Sequence, residues 1–176
     1  TNSKLTMNKL RFPLLIKLLL AMSIIALGAY SMNAADPCML EHYTAPKISI
    51  HDDFIKMING TWLGKAIRTP VRPVNYDITY RQTPEGMVQG SADLIASVHH
   101  WTFIPEAENL KLCFLSTFAG NTEPLLLELV EVDENEYFFK AHDPSYLEVH
   151  INITETSLRK RIFLRGNPHV EIELAR

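Results

Sequence analysis

From Gly60 onward, apolar residues recur at every second position, in short runs separated by loops of a few residues. A period of two places successive side chains on opposite faces, so this chain is committed to half-buried antiparallel strands. The segment "NYDITYRQTPEGMVQGSADL" (75–94) fixes the register of one hairpin. Thr83-Pro84-Glu85-Gly86 suits a type I turn with Gly86 in the left-handed conformation of a bulge, which sets Thr83 opposite Met87. Gln82 then faces Val88, Tyr80 faces Gly90, Ile78 faces Ala92 and Tyr76 faces Leu94, giving an apolar and aromatic face. Arg81 with Gln89, Thr79 with Ser91 and Asp77 with Asp93 form the polar face. Continued unbroken through residue 100, the second strand puts Ala96, Val98 and His100 inside and Ser97 and His99 outside, with Gly90, Ala92 and Ala96 permitting a strong bend.

The remaining runs extend the same pattern. "LKLCFLSTF" places Leu110, Leu112, Phe114 and Phe118 on one side and Cys113 on the other. "LLLELVEV" and "EYFFKAH", joined at Asp133 to Glu136, have apolar residues on both faces and are left unoriented. A two-residue loop at Glu155-Thr156 pairs Leu147 with Leu164, Val149 with Ile162 and Ile153 with Leu158 inside, and His150 with Arg161 and Asn152 with Arg159 outside. A three-residue loop at Gly166 to Pro168 then pairs Leu164 with Val170 and Ile162 with Ile172 inside, leaving Arg161 opposite Glu173 outside. Ahead of the strands, "SIHDDFIKMING" reads as a short helix with Ser49 as cap and Phe54, Met57 and Ile58 on one face, a lid or plug. The expectation is an all-β, up-and-down antiparallel barrel of about nine strands with a short N-terminal helix, because sequential hairpins close more readily than they form a sandwich.

The stretch Gly60-Thr61-Trp62, after a short helix and at the start of the first strand, resembles the glycine-spacer-tryptophan motif of the calycins, the superfamily of lipocalins and fatty-acid-binding proteins. The resemblance covers about residues 48–176 in architecture. It implies a barrel whose narrow end is closed by Trp62, with a basic side chain from a late strand across its ring; Arg159, Arg161, Arg165 and Arg176 are the candidates. The superfamily's threonine-aspartate-tyrosine turn has only a loose counterpart in "HDPSY" (142–146), so no family within it is singled out.

Met7 opens a stretch with Lys9, Arg11 and Lys17 ahead of the uncharged run Leu18 to Tyr30 and the small residues of "AYSMNAAD". This is the pattern of a secretory signal, cleaved near Ala35 or retained as an anchor. The expected division is therefore residues 1–35 as upstream residues and signal peptide, 36–47 as an N-terminal arm and 48–176 as the barrel domain, in a secreted or periplasmic protein. Loss of Lys4, Lys9, Arg11 and Lys17 leaves 13 basic against 20 acidic residues, a net charge near −7 that argues against nucleic acid and anionic lipid as partners, so membrane association is expected only through an uncleaved signal segment. Cys38 and Cys113, an even pair in an exported chain, read as a disulfide.

Inside such a barrel, Tyr76, Tyr80, His100 and Lys160 are the candidate ligand-binding residues. Lys160 falls on the apolar face opposite Ile151 and Leu174, where an ammonium needs an anion or an escape to the barrel mouth. The expected partner is a small hydrophobic or amphipathic molecule, one with an anionic headgroup included. The alternative is a barrel enzyme acting on a small organic substrate through His100 and a tyrosine. A third expectation is a barrel filled by its own Phe114, Phe118 and leucine side chains. The seven histidines show no metal-ligand spacing, no GxSxG occurs, and a haem would need only one axial histidine, for which His100 is the candidate. The sequons Asn59-Gly-Thr61 and Asn152-Ile-Thr154 are too short to carry weight.

Overall fold

The computed structural model describes Tyr43, Pro46 and residues 49–142 and 146–176, within a compact unit spanning Pro37–Arg176. The expected signal segment, most of the N-terminal arm and Cys38 lie outside the described residues. One helix, α1 (Asp52–Ile58), precedes the strands β1 (Gly60–Arg68), β2 (Val74–Asn75), β3 (Ile78–Gln82), β4 (Val88–Leu94), β5 (Ser97–Pro105) and β6 (Leu110–Ser116). A 3-10 turn at Phe118–Gly120 leads into β7 (Leu125–Asp133), β8 (Glu136–Ala141), β9 (Leu147–Ile153), β10 (Ser157–Leu164) and β11 (Asn167–Ala175). Each strand pairs antiparallel with its neighbour in sequence, and β11 returns to pair with β1. Both β2 and β3 pair with β1, as two pieces of one staff interrupted at Tyr76-Asp77, so the closed barrel has ten staves.

The extra stave comes from a turn that the sequence hides. The long run expected to continue through residue 100 doubles back at Ile95-Ala96, pairing Leu94 with Ser97, Ala92 with His99 and Gly90 with Trp101. A two-residue turn reverses which parity of β5 faces inward, so His99, Trp101 and Phe103 are buried inside while His100 turns outward. The hairpin at 83–87 forms as expected: the amide of Thr83 donates to the Met87 carbonyl (2.8 Å) and Gly86 has φ +92°. The β9–β10 pairings match the expected ones throughout. At β10–β11 the turn is Arg165-Gly166, both with positive φ, and a bulge at Phe163 pairs Ile162 with Val170 and Lys160 with Ile172. That register differs by two from the expected one, so every side chain keeps its face. Strands β7 and β8, left unoriented by the sequence, bury Leu127, Tyr137 and Phe139. Phe118 is 58% exposed on the 3-10 turn, outside the core in which it was expected.

The barrel is sealed at the end where β1 begins. Helix α1 starts at Asp52, three residues later than the proposed Ser49 cap, and makes no side-chain cap bond. Its Phe54 and Ile58 are fully buried, and the Phe54 ring lies 5.0 Å from Phe103 and 4.6 Å from Tyr137, so the helix does plug this end. Trp62, also fully buried, donates its indole N–H to the Ile58 carbonyl (2.8 Å). Of the four candidate arginines it is Arg176 that covers the indole, at 3.9 Å from the ring centroid, while donating to the carbonyls of Met57 and Asn59 at the end of α1.

Closure requires close approach at the seam. Gly64 pairs with Leu174, and a Cβ there would sit 2.9 Å from the Leu174 Cα and collide with the Glu173 carbonyl. The same glycine accepts a hydrogen bond from the Tyr76 amide (2.9 Å) where the β2–β3 stave is broken, so three strands meet around it. We expect Gly64→Ala to destabilise the fold by at least about 2 kcal/mol through backbone overpacking at the seam. Urea unfolding checks this, and an unchanged midpoint would mean that the seam yields freely.

Candidate functional site

Opposite the sealed end lies a cavity of about 760 Å³ that opens between the β1–β2, β4–β5, β6–β7 and β10–β11 connections. Its walls are mostly apolar, among them Ala66, Val74, Phe114, Leu125, Ile162 and Val170. Arg72, Asn121, Glu123 and His169 stand on the connections and strand ends at the mouth. On the inner wall the titratable group is His99, only 7% exposed. It is opposite Ser116 in the β5–β6 pairing, and that serine also lines the cavity.

Beneath the cavity is a buried polar layer. The indole N–H of Trp101 donates to Tyr76 Oη (2.7 Å), and Tyr76 Oη lies 3.2 Å from His99 Nδ1. Lys160, fully buried, places its Nζ 2.6 Å from Tyr80 Oη and over three rings, at 4.2 Å from Trp101, 5.0 Å from Tyr80 and 5.2 Å from Tyr76. No carboxylate pairs with it among the described residues. The lysine is thus held by π faces and one phenol instead of by an anion. Gly90 makes the space: a Cβ there would meet the Tyr80 ring at 2.7 Å. Its role is room for an aromatic ring, where the sequence suggested only a bend.

Hydrogen-bond accounting sets the protons. Tyr76 Oη already accepts from Trp101, and His99 Nδ1 is the acceptor within reach of the phenol proton. A buried O–H left without an acceptor is costly, so Tyr76 donates to Nδ1 and His99 is the neutral tautomer protonated at Nε2. Burial, then the charges of Lys160 and His100, hold the His99 pKa down to about 4, in keeping with a neutral ring. Burial also raises the Tyr76 and Tyr80 phenols and pulls Lys160 well below the ordinary lysine value.

Of the four residues singled out from the sequence, Tyr76, Tyr80 and Lys160 come together, as expected for the inner faces of two hairpins. None of the three lines the cavity; they form the layer below it. His100 does not join them. It faces outward, where its Nδ1 lies 2.8 Å from Ser91 Oγ, so the inward placement on which both the haem and the acid–base expectations relied is overturned. The inner histidine is His99, and both it and Trp101 escaped detection because Ile95-Ala96 carries no glycine, proline or asparagine to announce a turn. Cys113 faces outward as expected, in a small cluster with Met87 and Ile104 covered by Tyr43, whose hydroxyl donates to the Pro105 carbonyl. No free thiol occurs among the described residues. Nor do these hold any group of three or more residues suited to a metal ion.

Set against known proteins, the chain matches no family model, and no curated protein matches it. What the geometry defines is the class: a closed, ten-stave antiparallel β-barrel, sealed at one end and hollow at the other, consistent with a calycin-like fold.

Because the folded-state pKa of Lys160 lies below its ordinary value of 10.5, the unfolded chain holds more protons between the two values, and stability rises with pH across that interval. The slope approaches about 1.4 kcal/mol per pH unit where the folded lysine is neutral. We expect Lys160→Met to remove this contribution to the slope in the interval below pH 10.5. Because that variant strands the Tyr80 hydroxyl, Lys160→Met with Tyr80→Phe should be more stable than Lys160→Met alone. Urea titrations across this pH range measure both effects, and parallel curves for parent and Lys160→Met would refute the first.

Proposed function

We propose that this protein is an exported, calycin-like barrel that binds a small apolar or amphipathic molecule in its open-ended cavity. The observation that carries the proposal is the cavity itself: about 760 Å³ of mostly apolar space within one half of a barrel whose other half is filled by its own aromatic side chains. The mouth supports entry of such a ligand, since Val71 and Ile95, each 81% exposed, and Phe118 border it. The cavity speaks against a barrel filled throughout by side chains. The enzyme alternative relied on His100, which faces outward; the inner pair of His99 and Tyr76 is tied up in a relay with Trp101, and the mostly apolar cavity supports binding.

The simplest test is to occupy the space. Ala66 lines the cavity and is 1% exposed, so Ala66→Phe projects a ring into it. We expect this variant to fold with a melting temperature near that of the parent and to bind an apolar fluorescent dye at least about tenfold more weakly, equivalent to about 1.4 kcal/mol. Equal affinity in both proteins would place the dye elsewhere and remove the basis for the proposal. Native mass spectrometry of protein from its natural host would identify the molecule carried.

Export and a Cys38–Cys113 bond belong to the same proposal. The buried, outward position of Cys113 beneath Tyr43 supports a tie between the N-terminal arm and the barrel wall. In the chain-entropy account a loop of this length contributes about 4 kcal/mol. Protein from an oxidising compartment, denatured without reductant, should then resist alkylation at both cysteines; two modified thiols would exclude the bond.

A further inference from the structure

The relay Trp101–Tyr76–His99 does more than satisfy buried groups. It fixes which way the last proton of the chain points. Trp101 has only a donor, so Tyr76 must accept from it and pass its own proton to Nδ1 of His99. The remaining imidazole proton resides on Nε2. That nitrogen has no hydrogen-bond partner among the described residues, and the ring that bears it lines the cavity. The hollow half of the barrel therefore offers, within an apolar wall, one oriented N–H donor whose direction is set from behind.

From this we infer that the cavity takes an apolar molecule carrying an uncharged hydrogen-bond acceptor, a ketone, aldehyde, ester or amide carbonyl, seated on the Nε2–H of His99. The inference rests on the proposal that the cavity binds a ligand and specifies the chemistry of that ligand. A carboxylate fits less well for three reasons. The buried amine of Lys160 does not line the cavity and is already engaged by Tyr80 and three rings. Protonating His99 to meet an anion would put a hydrogen on Nδ1 and leave the Tyr76 hydroxyl with no acceptor. A carboxylate held instead by Arg72 at the mouth would leave the Nε2–H without a partner. A carbonyl needs none of these changes: it accepts one hydrogen bond, and its apolar body lies against Phe114, Ile162 and Val170.

Three forms of one dimethylaminonaphthalene dye test the assignment on the full chain: one bearing a propionyl ketone, one a propyl group and one a carboxylate. The ketone should bind about tenfold more tightly than the propyl form. Its carbonyl stretch should shift to lower frequency when bound, and both effects should vanish in His99→Phe while propyl binding is retained. Nitrogen NMR of the unliganded parent, which depends on no variant, should show Nε2 of His99 protonated and Nδ1 bare. In Tyr76→Phe, Nδ1 loses its donor, so the tautomers should mix and the preference for the ketone should shrink. Equal binding of ketone and propyl forms, a proton on Nδ1, or tightest binding of the carboxylate would each overturn the assignment while leaving a binding barrel in place. Failure of all three dyes to bind would overturn both the assignment and the binding proposal.

Discussion

Pairing of β1 with β11 is the constraint on which the rest of the molecule depends. It turns a ten-stave meander with two bare edges into a closed surface with an inside. Eight staves enclose a space that side chains just fill, and ten enclose more, so something other than ordinary aliphatic packing has to occupy the interior. At the sealed end that occupant is Phe54 from α1 with Trp62, Phe103 and Phe139. In the middle it is the layer of Tyr76, Tyr80, Trp101 and Lys160. Towards the mouth the large side chains run out, and the cavity is what remains.

The polar middle layer is an unusual solution to filling a core. Burying a lysine penalises its charged form, and three aromatic faces and a phenol surround Lys160 without offsetting that penalty, so its pKa falls well below the ordinary value. The layer also lies between the two halves of the barrel and touches both. Trp101 and Tyr76 sit against Lys160 on one side and reach His99 at the cavity wall on the other, so one continuous set of contacts joins the lysine cage to the cavity.

Much of this architecture was legible in the sequence because period-two alternation tolerates some errors and not others. The β10–β11 loop is shorter than the expected three residues, and the resulting shift of two residues leaves Ile162, Val170, Ile172 and Lys160 on their expected faces. The missed turn at Ile95-Ala96 had the opposite consequence. Those residues read as the interior of a strand, and an unbroken strand there reverses the parity of all that follows, exchanging His99 for His100 and turning Trp101 outward. The candidate site was therefore legible on the strands whose turns at Thr83–Gly86 and Glu155-Thr156 separate two clear runs, giving Tyr76, Tyr80 and Lys160, and illegible on β5, whose turn at Ile95-Ala96 reads as the continuation of β4. The expectation that Trp62 lies at the start of the first strand under a basic side chain required no register, although which arginine covers it emerges only from the three-dimensional seam.

The contacts of Arg176 also have a temporal meaning. This residue covers Trp62 and caps the carbonyls at the end of α1, linking positions separated by more than a hundred residues along the chain. Every hairpin from β3 to β10 can zip up locally, but the join that abolishes the edges waits for β11, the barrel strand farthest along the chain from β1. Topologies dominated by such distant contacts fold slowly, and until the join forms, β1 and β11 are templates for any other strand they meet. The period of greatest risk for this protein is thus the interval between synthesis of its first strand and capture of Arg176, when the same seam that later makes the barrel inert is its most adhesive surface.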